Sequence, residues 1–285
     1  EMGARHSGDI AHLASIAQPD IAVVLRVGMA HLGEFGSIET IAKTKSELIS
    51  SLSNTGIAIL GQYDPYNKAM KSLHHGPTVT FGTDHSDDVR ATEIEMREGR
   101  PHFDLVTPAG RAAVGLRIVG EHQISNALAC AAVGTALGFS IDSIATALST
   151  ALIESKWRME IHEFSEVLLI NDSYNANPES VKNALDLLAT SRKRKIFVFG
   201  DMLELGRHRN KMHKEVGVYA ASKKIDIFLG FGDLTKYAVE SFGKNGIFFK
   251  DEALLKDFLK KNIQSKDVVL IKGSRGMKME RYIDV

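Results

Sequence analysis

The chain changes from strand to helix within one segment, Val167-Leu168-Leu169-Ile170-Asn171-Asp172-Ser173-Tyr174-Asn175-Ala176-Asn177-Pro178. Residues 167–170 form a short apolar run of the kind that fills a covered parallel sheet. Asn177 can cap a following helix, and Pro178 suits its first position, where a missing N–H costs nothing. The segment therefore predicts a strand–loop–helix unit of an α/β sheet.

The loop of this segment contains more polar groups than a helix cap requires. A well-capped turn accounts for Asn177 and Pro178 alone. In open α/β sheets, ligands bind beyond the carboxyl ends of the strands. The surplus favours ligand contact for Asp172 and Tyr174. Ser173 and Asn175 remain open between the two interpretations.

Strand and helix patterns alternate after this segment, which predicts a Rossmann-like, doubly wound sheet. Polar or glycine-rich loops follow further strands at residues 200–206, 230–233 and 272–276. We expect these loops and the Asp172 loop to share one edge of the sheet. None matches the dinucleotide fingerprint, which disfavours a nicotinamide cofactor. The pattern breaks at residues 156–159, so we predict two domains, 1–155 and 156–285.

The first predicted domain opens with a buried strand at residues 21–27, a glycine-rich loop and a helix capped by Ser37. Four β-type segments near 78–81, 89–96, 102–107 and 112–118 predict an antiparallel insertion beside a parallel sheet. Several histidines near these turns lack metal-ligand spacing and are interpreted as surface residues: His74, His75, His85 and His102.

Lys45 is an unusual residue on the helix after Ser37. It falls on the apolar stripe with Ile41 and Ile49, whereas Lys43 points elsewhere. From helical geometry alone, a lysine that extends its amine to solvent at the edge of the stripe is the better interpretation. The alternative is a lysine directed to the interior or to a cleft.

Composition excludes some classes of protein. Charged residues make up 25% of the chain and balance to a net charge of zero, so nucleic-acid and anionic-lipid binding are not expected. No apolar run approaches the roughly 20 residues needed to span a bilayer. The one cysteine, Cys130, lies in an alanine-rich helical pattern and is predicted to be buried. We expect a cytoplasmic monomer.

Several motifs, in chain order, resemble those of the Mur ligases of peptidoglycan synthesis. They are Glu1-Met-Gly-Ala, Ala30-His31-Leu32, Ala42-Lys-Thr-Lys45-Ser-Glu47, Asn126-Ala-Leu-Ala129, Trp157-Arg158-Met159, Asn171-Asp-Ser-Tyr-Asn-Ala-Asn177, Gly200-Asp-Met-Leu-Glu-Leu-Gly206 and Lys272-Gly-Ser-Arg275. The 171–177 and 200–206 motifs are similar to those of one branch of this family, whose members join D-alanyl-D-alanine to UDP-N-acetylmuramoyl-tripeptide. The resemblance implies part of a P-loop-type central ATPase domain, followed by the Rossmann-like domain.

The resemblance also implies ATP and Mg²⁺ as cofactors and assigns roles to residues. Glu1, His31 and a carbamylated Lys45 would bind magnesium. Asn126, Arg158, Asp172 and Tyr174 would bind ATP, with His31, Lys45 and Arg158 serving catalysis. Asn175, Ser274 and Arg275 would contact the peptide substrates.

The family's P-loop motif, G-x-x-x-x-G-K-[ST], is not found in this sequence, and we expect it and a uridine-nucleotide domain to precede Glu1. The chain by itself is then expected to be an inactive fragment of a ligase. Two alternatives remain open: a related amide ligase of the folylpolyglutamate synthase type, and a non-catalytic nucleotide-binding module.

Overall fold

The computed structural model describes residues 1–29, 32–152 and 155–283. The chain forms two compact units, Glu1–Leu152 and Ile153–Val285. His31, one of the predicted metal ligands, lies outside the described residues. Both units are α/β, as predicted, and each has its own sheet of six strands among the described residues.

The elements of the first unit are, in chain order, α1 Asp9–Ala17, β1 Ile21–Val24, α2 Leu32–Phe35, α3 Ile38–Ser50, β2 Ile57–Gly61, α4 Pro65–Met70, β3 Thr78–Gly82, β4 Val89–Arg97, β5 Arg100–Thr107, β6 Gly110–Gly115, α5 Gln123–Ala136 and α6 Ile141–Thr150. The strand order is β1-β2-β3-β4-β5-β6. Strands β1 to β4 are parallel, and β4, β5 and β6 are antiparallel. The sheet is therefore mixed.

Strand β2 shows why this sheet is covered on both faces. Ala58 and Leu60 pack with α3 residues such as Ile41, whereas Ile59 packs with Leu128 of α5. Side chains of a strand alternate between the two faces, so an all-apolar strand requires two apolar layers. The run of apolar residues in β2 thus places helices on both sides.

Three expectations for this unit were wrong. Strand β3 pairs in parallel with β2, so only β4 to β6 form the predicted antiparallel part. Cys130 is exposed, because its position on α5 lies opposite the centre of the buried face at Leu128 and Ala132. His74 is buried, and its Nε2 lies 2.9 Å from the carbonyl oxygen of Gly56.

The elements of the second unit are β7 Glu160–Phe164, β8 Val167–Asp172, α7 Pro178–Ala189, β9 Lys195–Gly200, α8 Arg209–Ser222, β10 Ile227–Phe231, α9 Thr235–Phe242, β11 Gly246–Phe249, α10 Glu252–Asn262 and β12 Val268–Lys272. The strand order is β11-β10-β9-β12-β8-β7. All neighbouring strands are parallel except β7, which forms an antiparallel hairpin with β8. The carboxyl ends of β8, β9, β10 and β12 therefore lie at one edge.

Helices cover both faces of this sheet, which confirms the doubly wound prediction. On one face, Phe199 of β9 contacts the ring of His213 on α8 at a centroid distance of 5.9 Å. On the other face, Val198 packs with Leu255 and Leu259 of α10. Strand β11 was not predicted from the sequence, because this edge strand of four residues is too short to show a clear period. No helix in the described ranges is long and apolar enough to cross a membrane.

Candidate functional site

Ser274, in the loop after β12, connects three loops at the carboxyl edge of the second sheet. Its hydroxyl accepts a hydrogen bond from the amide of Leu203 at 2.8 Å and donates to the carbonyl of Ala176 at 3.3 Å. Its own amide donates to the carbonyl of Asp201 at 3.1 Å. Ser274 is 4% exposed. The side chain predicted to contact substrate therefore joins these loops by its hydrogen bonds.

Asp201 connects the fourth loop to this edge. Its Oδ1 accepts hydrogen bonds from the amides of Leu234 and Thr235, both at 2.9 Å. Gly232 lies against it with φ near +114°, and a Cβ there would come within 2.7 Å of the carboxylate. Burial raises the pKa of Asp201, and the two amides oppose that shift. The prediction that the four loops share one edge is confirmed.

Asp172 forms a buried ion pair with Lys272, the last residue of β12. The Lys272 ammonium also donates to the carbonyl of Asn175 at 2.9 Å. Lys272 is 2% exposed and Asp172 is 9% exposed. In the sequence, Lys272 is part of the Lys272-Gly-Ser-Arg275 motif, which by itself assigns no role to the lysine. The sequence signal for a role was the position of this lysine at the end of a strand that is otherwise apolar, Val268–Lys272.

Two arginines stack on aromatic rings beside the Asp172 loop. The guanidinium of Arg158 lies 4.0 Å from the ring centroid of Tyr174, and that of Arg275 lies 4.0 Å from the ring centroid of Trp157. The amide of Tyr174 donates to the carbonyl of Trp157 at 3.0 Å. Arg158 and Tyr174 are exposed, so the structure brings two predicted ATP-binding residues into contact on the surface.

Arg275 is occupied by a carboxylate of its own chain. Its two terminal nitrogens donate to the two oxygens of Glu280 at 2.8 and 2.9 Å, the bidentate geometry that arginine favours. Glu280 in turn raises the pKa of Arg275. A substrate carboxylate could take this fork only by displacing Glu280, which weakens the predicted role of Arg275 as a direct substrate contact.

Trp157 has a backbone conformation that large residues seldom adopt. Its φ is near +63°, and that of Met159 is near +52°. Such residues persist where the surroundings hold them, and they cluster at ligand sites. Here the hydrogen bond from Tyr174 and the stacked Arg275 hold Trp157. Residues 156–159, where the strand–helix pattern of the sequence is interrupted, are therefore an ordered part of the site.

An open depression of about 510 Å³ lies on the 201–206 loop and the start of α8. Its lining residues are Met202, Leu203, Glu204, Leu205, Gly206, Arg207, Arg209, Asn210 and Leu234. Met202 and Leu205 are buried, whereas Arg207 and Arg209 are exposed. The depression thus combines an apolar floor with two cations at its rim.

In the first unit, Lys45 lies half-buried on α3, and Lys43 is exposed, as the helical pattern predicts. Desolvation lowers the pKa of Lys45, and the nearby carboxylate of Asp64 opposes that shift. Asp64 also accepts the amide of Val27 at 2.9 Å, at the start of the glycine-rich loop. A lysine directed towards a partly buried acidic neighbour fits the second interpretation, in which its amine does not simply reach solvent.

The other predicted residues of this unit are not drawn into one cluster. Glu1 is exposed, and Asn126 is exposed on α5, where its amide donates to Oε1 of Gln123 at 2.9 Å. Among the described residues, no three His, Cys, Asp or Glu side chains converge as a metal site would require. His31, which the predicted metal site needs, is not among them, so that site stays a prediction.

The fold and this loop-lined edge define a two-unit α/β protein with its polar residues gathered at the carboxyl ends of parallel strands. Two family models match it: the Mur ligase middle domain over residues 1–134, and the Mur ligase glutamate ligase domain over residues 157–275. The chain belongs to the Mur ligase family, which confirms the resemblance of its motifs.

The chain is similar to the following members of this family. The UDP-N-acetylmuramoyl-tripeptide–D-alanyl-D-alanine ligase of Mycobacterium tuberculosis strain H37Rv is 41% identical over 225 residues, which cover 76% of this chain and 44% of that protein. The crystal structure of MurF from Acinetobacter baumannii superposes with a TM-score of 0.92 at 33% identity, covering 99% of this chain and 62% of that one.

MurF from Thermotoga maritima, solved in complex with ADP, superposes with a TM-score of 0.87 at 30% identity, covering 100% of this chain and 65% of that one. The chain thus spans less than two thirds of the length of each of these three relatives.

Proposed function

We propose that this chain supplies the middle and carboxy-terminal domains of an ATP-dependent ligase that joins D-alanyl-D-alanine to UDP-N-acetylmuramoyl-tripeptide. The observation that carries the proposal is the match to both Mur ligase domains in order, together with whole-chain similarity to MurF at 30–33% identity. The polar edge of the second sheet supports it, because that is where α/β proteins bind nucleotides and acceptors.

The proposed reaction has two steps. An oxygen of the tripeptide carboxylate attacks the γ-phosphorus of ATP, the bond to the β-phosphate oxygen breaks, and ADP leaves. The amine of D-alanyl-D-alanine then attacks the acyl-phosphate carbon, inorganic phosphate leaves, and the amine gives up its proton. The protein's task is to position these groups and to stabilise the phosphate charge.

We assign nucleotide binding to four of the residues predicted from the family motifs. Arg158 contacts the phosphates, and Tyr174 both orients that arginine and flanks the nucleotide. The contact between their side chains at 4.0 Å supports this pairing. Asp172 accepts hydrogen bonds from the ribose, and Asn126, which is exposed on α5, contacts the adenine.

We assign magnesium binding to Glu1, His31 and Lys45, with Lys45 converted to a carbamate. The donor chemistry fits in part: carboxylate and carbamate oxygens are hard ligands, although magnesium favours oxygen over imidazole. The lowered pKa of Lys45 supports carbamate formation, because only the neutral amine adds carbon dioxide. When bound, the metal neutralises phosphate charge during transfer. Lys45 and His31 would then serve catalysis through it.

We assign the acceptor dipeptide to the depression beside the 201–206 loop. Its floor of Met202, Leu205 and Leu234 suits two methyl side chains, and Arg207 and Arg209 suit a terminal carboxylate. Ser274 acts on this site indirectly, since it holds Leu203, which lines the depression. Asn175 and Arg275 lie on the neighbouring loops and remain candidate contacts.

The test uses the whole natural protein that contains this chain. Incubation with ATP, magnesium, UDP-N-acetylmuramoyl-tripeptide and D-alanyl-D-alanine should give the pentapeptide product by mass spectrometry, with one ADP and one phosphate per product. Glutamate with a folate acceptor serves as the alternative substrate pair. Turnover of that pair alone would point to a folylpolyglutamate synthase type, and ATP binding without any turnover would point to a non-catalytic module.

A further inference from the structure

We propose that Lys272 is a positioning residue, which turns Asp172 so that the oxygen Oδ1 faces the sugar hydroxyls of a bound nucleoside triphosphate. The inference rests on the proposed nucleotide binding and names the residue that prepares the sugar site. Lys272 would not touch the ligand itself, because it is 2% exposed.

Among the described residues, the hydrogen-bond acceptors of the Lys272 ammonium all belong to the Asp172 loop. Its ammonium donates to Oδ2 of Asp172, to the carbonyl of Asn175 at 2.9 Å, and more weakly to the carbonyl of Asp172 at 3.5 Å. An ammonium has three N–H donors, so these three acceptors use its full capacity. One side chain thereby fixes both the carboxylate and the backbone that follows it.

The two oxygens of Asp172 have different partners. Oδ2 is taken by Lys272, whereas none of the donors in the described part of the chain contacts Oδ1. The Asp172 side chain remains 12% exposed, which leaves a path for one ligand atom. An ionised carboxylate can only accept hydrogen bonds, so its ligand must bring donors. The hydroxyls of a nucleotide sugar are donors of this kind.

The positive charge of Lys272 also prepares Asp172 to bind the sugar of a nucleotide. A bare carboxylate near a triphosphate would repel it, and this repulsion is strong where water is excluded. Lys272 compensates the charge of Asp172 from the buried side, away from the exposed oxygen. Asp172 can then accept hydroxyl hydrogens from a polyanion with less electrostatic opposition.

The experiment compares binding of ATP and 2′,3′-dideoxy-ATP by calorimetry in the whole natural protein, with magnesium present. Wild type should bind ATP at least about tenfold more tightly, the effect of a hydrogen bond to a charged group. Asp172→Asn should lower this ratio towards one, and Lys272→Met should lower it equally. The Asp172→Asn/Lys272→Met double variant should show no further fall, because both changes remove one interaction.

Arg194→Met is the matched control. Arg194 pairs with buried Asp267 at 3.3 Å, just before β9 and β12 and so at the opposite edge of the same sheet. The Arg194→Met substitution should destabilise the second unit and leave the ratio of ATP to 2′,3′-dideoxy-ATP affinity unchanged. If Lys272→Met does not fold, Lys272→Gln replaces it, since glutamine keeps a hydrogen-bond donor but is shorter than lysine and has no charge to pair with Asp172.

Each outcome decides a separate point. If a Lys272 variant binds both nucleotides more weakly by the same factor, so that the wild-type ratio is retained, the positioning role is overturned and Lys272 has only a structural role. A wild-type ratio of one overturns the sugar contact itself. Failure of the wild-type protein to bind either nucleotide contradicts the proposed function.

Discussion

The backbone amide of Met202 donates a hydrogen bond to Nε2 of His213 at 3.0 Å. Since Nε2 accepts, the proton of the neutral ring must lie on Nδ1, which donates to the carbonyl of Arg209 at 2.7 Å. His213 is fully buried, and desolvation lowers its pKa. The loop that lines the proposed dipeptide site therefore depends on an uncharged histidine.

This dependence predicts loss of stability in mild acid. The unfolded histidine takes up a proton near pH 6.5, whereas the folded one resists protonation, so the unfolded state binds more protons below that pH. Stability should be fully present above about pH 6.5 and fall as the pH drops, by up to about 1.4 kcal/mol per pH unit from this group. Urea unfolding of the second unit, followed by the fluorescence of Trp157, the one tryptophan, measures it.

His213→Gln should remove this part of the pH dependence while lowering stability at pH 8. His75→Ala is the control, because His75 is exposed and should leave the profile unchanged. A His213→Gln protein that keeps the full wild-type decline between pH 6.5 and 5.5 would contradict the assignment.

Lys45→Ala should reduce ligase activity by at least about a hundredfold, the scale of losing a group that stabilises developing charge. If the residue carries a carbamate, acetate or formate should restore part of the rate by supplying the missing oxygens. Lys43→Ala, on the exposed side of α3, should stay close to wild type. Steady-state rates in the whole natural protein give the measurement, and equal behaviour of the two variants would rule out the carbamate.

Arg209→Ala should raise the KM for D-alanyl-D-alanine about tenfold to a hundredfold with little change in kcat. A hydrogen bond to a charged group contributes about 1.5–3 kcal/mol, and this one would be made in both the ground state and the transition state. Lys211→Ala is a control on the same helix, outside the depression and paired with Glu215 at 4.0 Å. An unchanged KM in Arg209→Ala would place the dipeptide elsewhere.

Tyr174→Leu should weaken ATP binding about twofold to fivefold, because a cation–π contact at an exposed site is worth about 0.5–1 kcal/mol. Tyr174→Phe keeps the ring and should bind ATP normally. Arg158→Ala should weaken ATP binding more than Tyr174→Leu does, since the proposed phosphate contact itself is removed. Lys156→Ala tests whether removing any positive charge near Arg158 weakens ATP binding. Calorimetric titration with ATP distinguishes these cases, and a normal affinity in Arg158→Ala would exclude the phosphate contact.

The sequence alone predicted the parts of the structure that depend on near neighbours. Ser37 and Asn177 cap their helices as expected, with Asn177 in a reciprocal capping box with Ser180. Such caps are formed within three residues, so the local sequence determines them. The α/β alternation of the second unit, its common polar edge and the orientation of Lys43 follow from similar local periodicity.

Tertiary structure decided the contacts between distant residues. Lys272 and Asp172 are 100 positions apart in the chain, and only the pairing of β12 with β8 brings them together. The same holds for Ser274 and Leu203, which are 71 positions apart and follow the paired strands β12 and β9. A residue's type and spacing reveal its capacity to donate or accept, whereas its partner depends on strand order, which the period of a single segment does not contain.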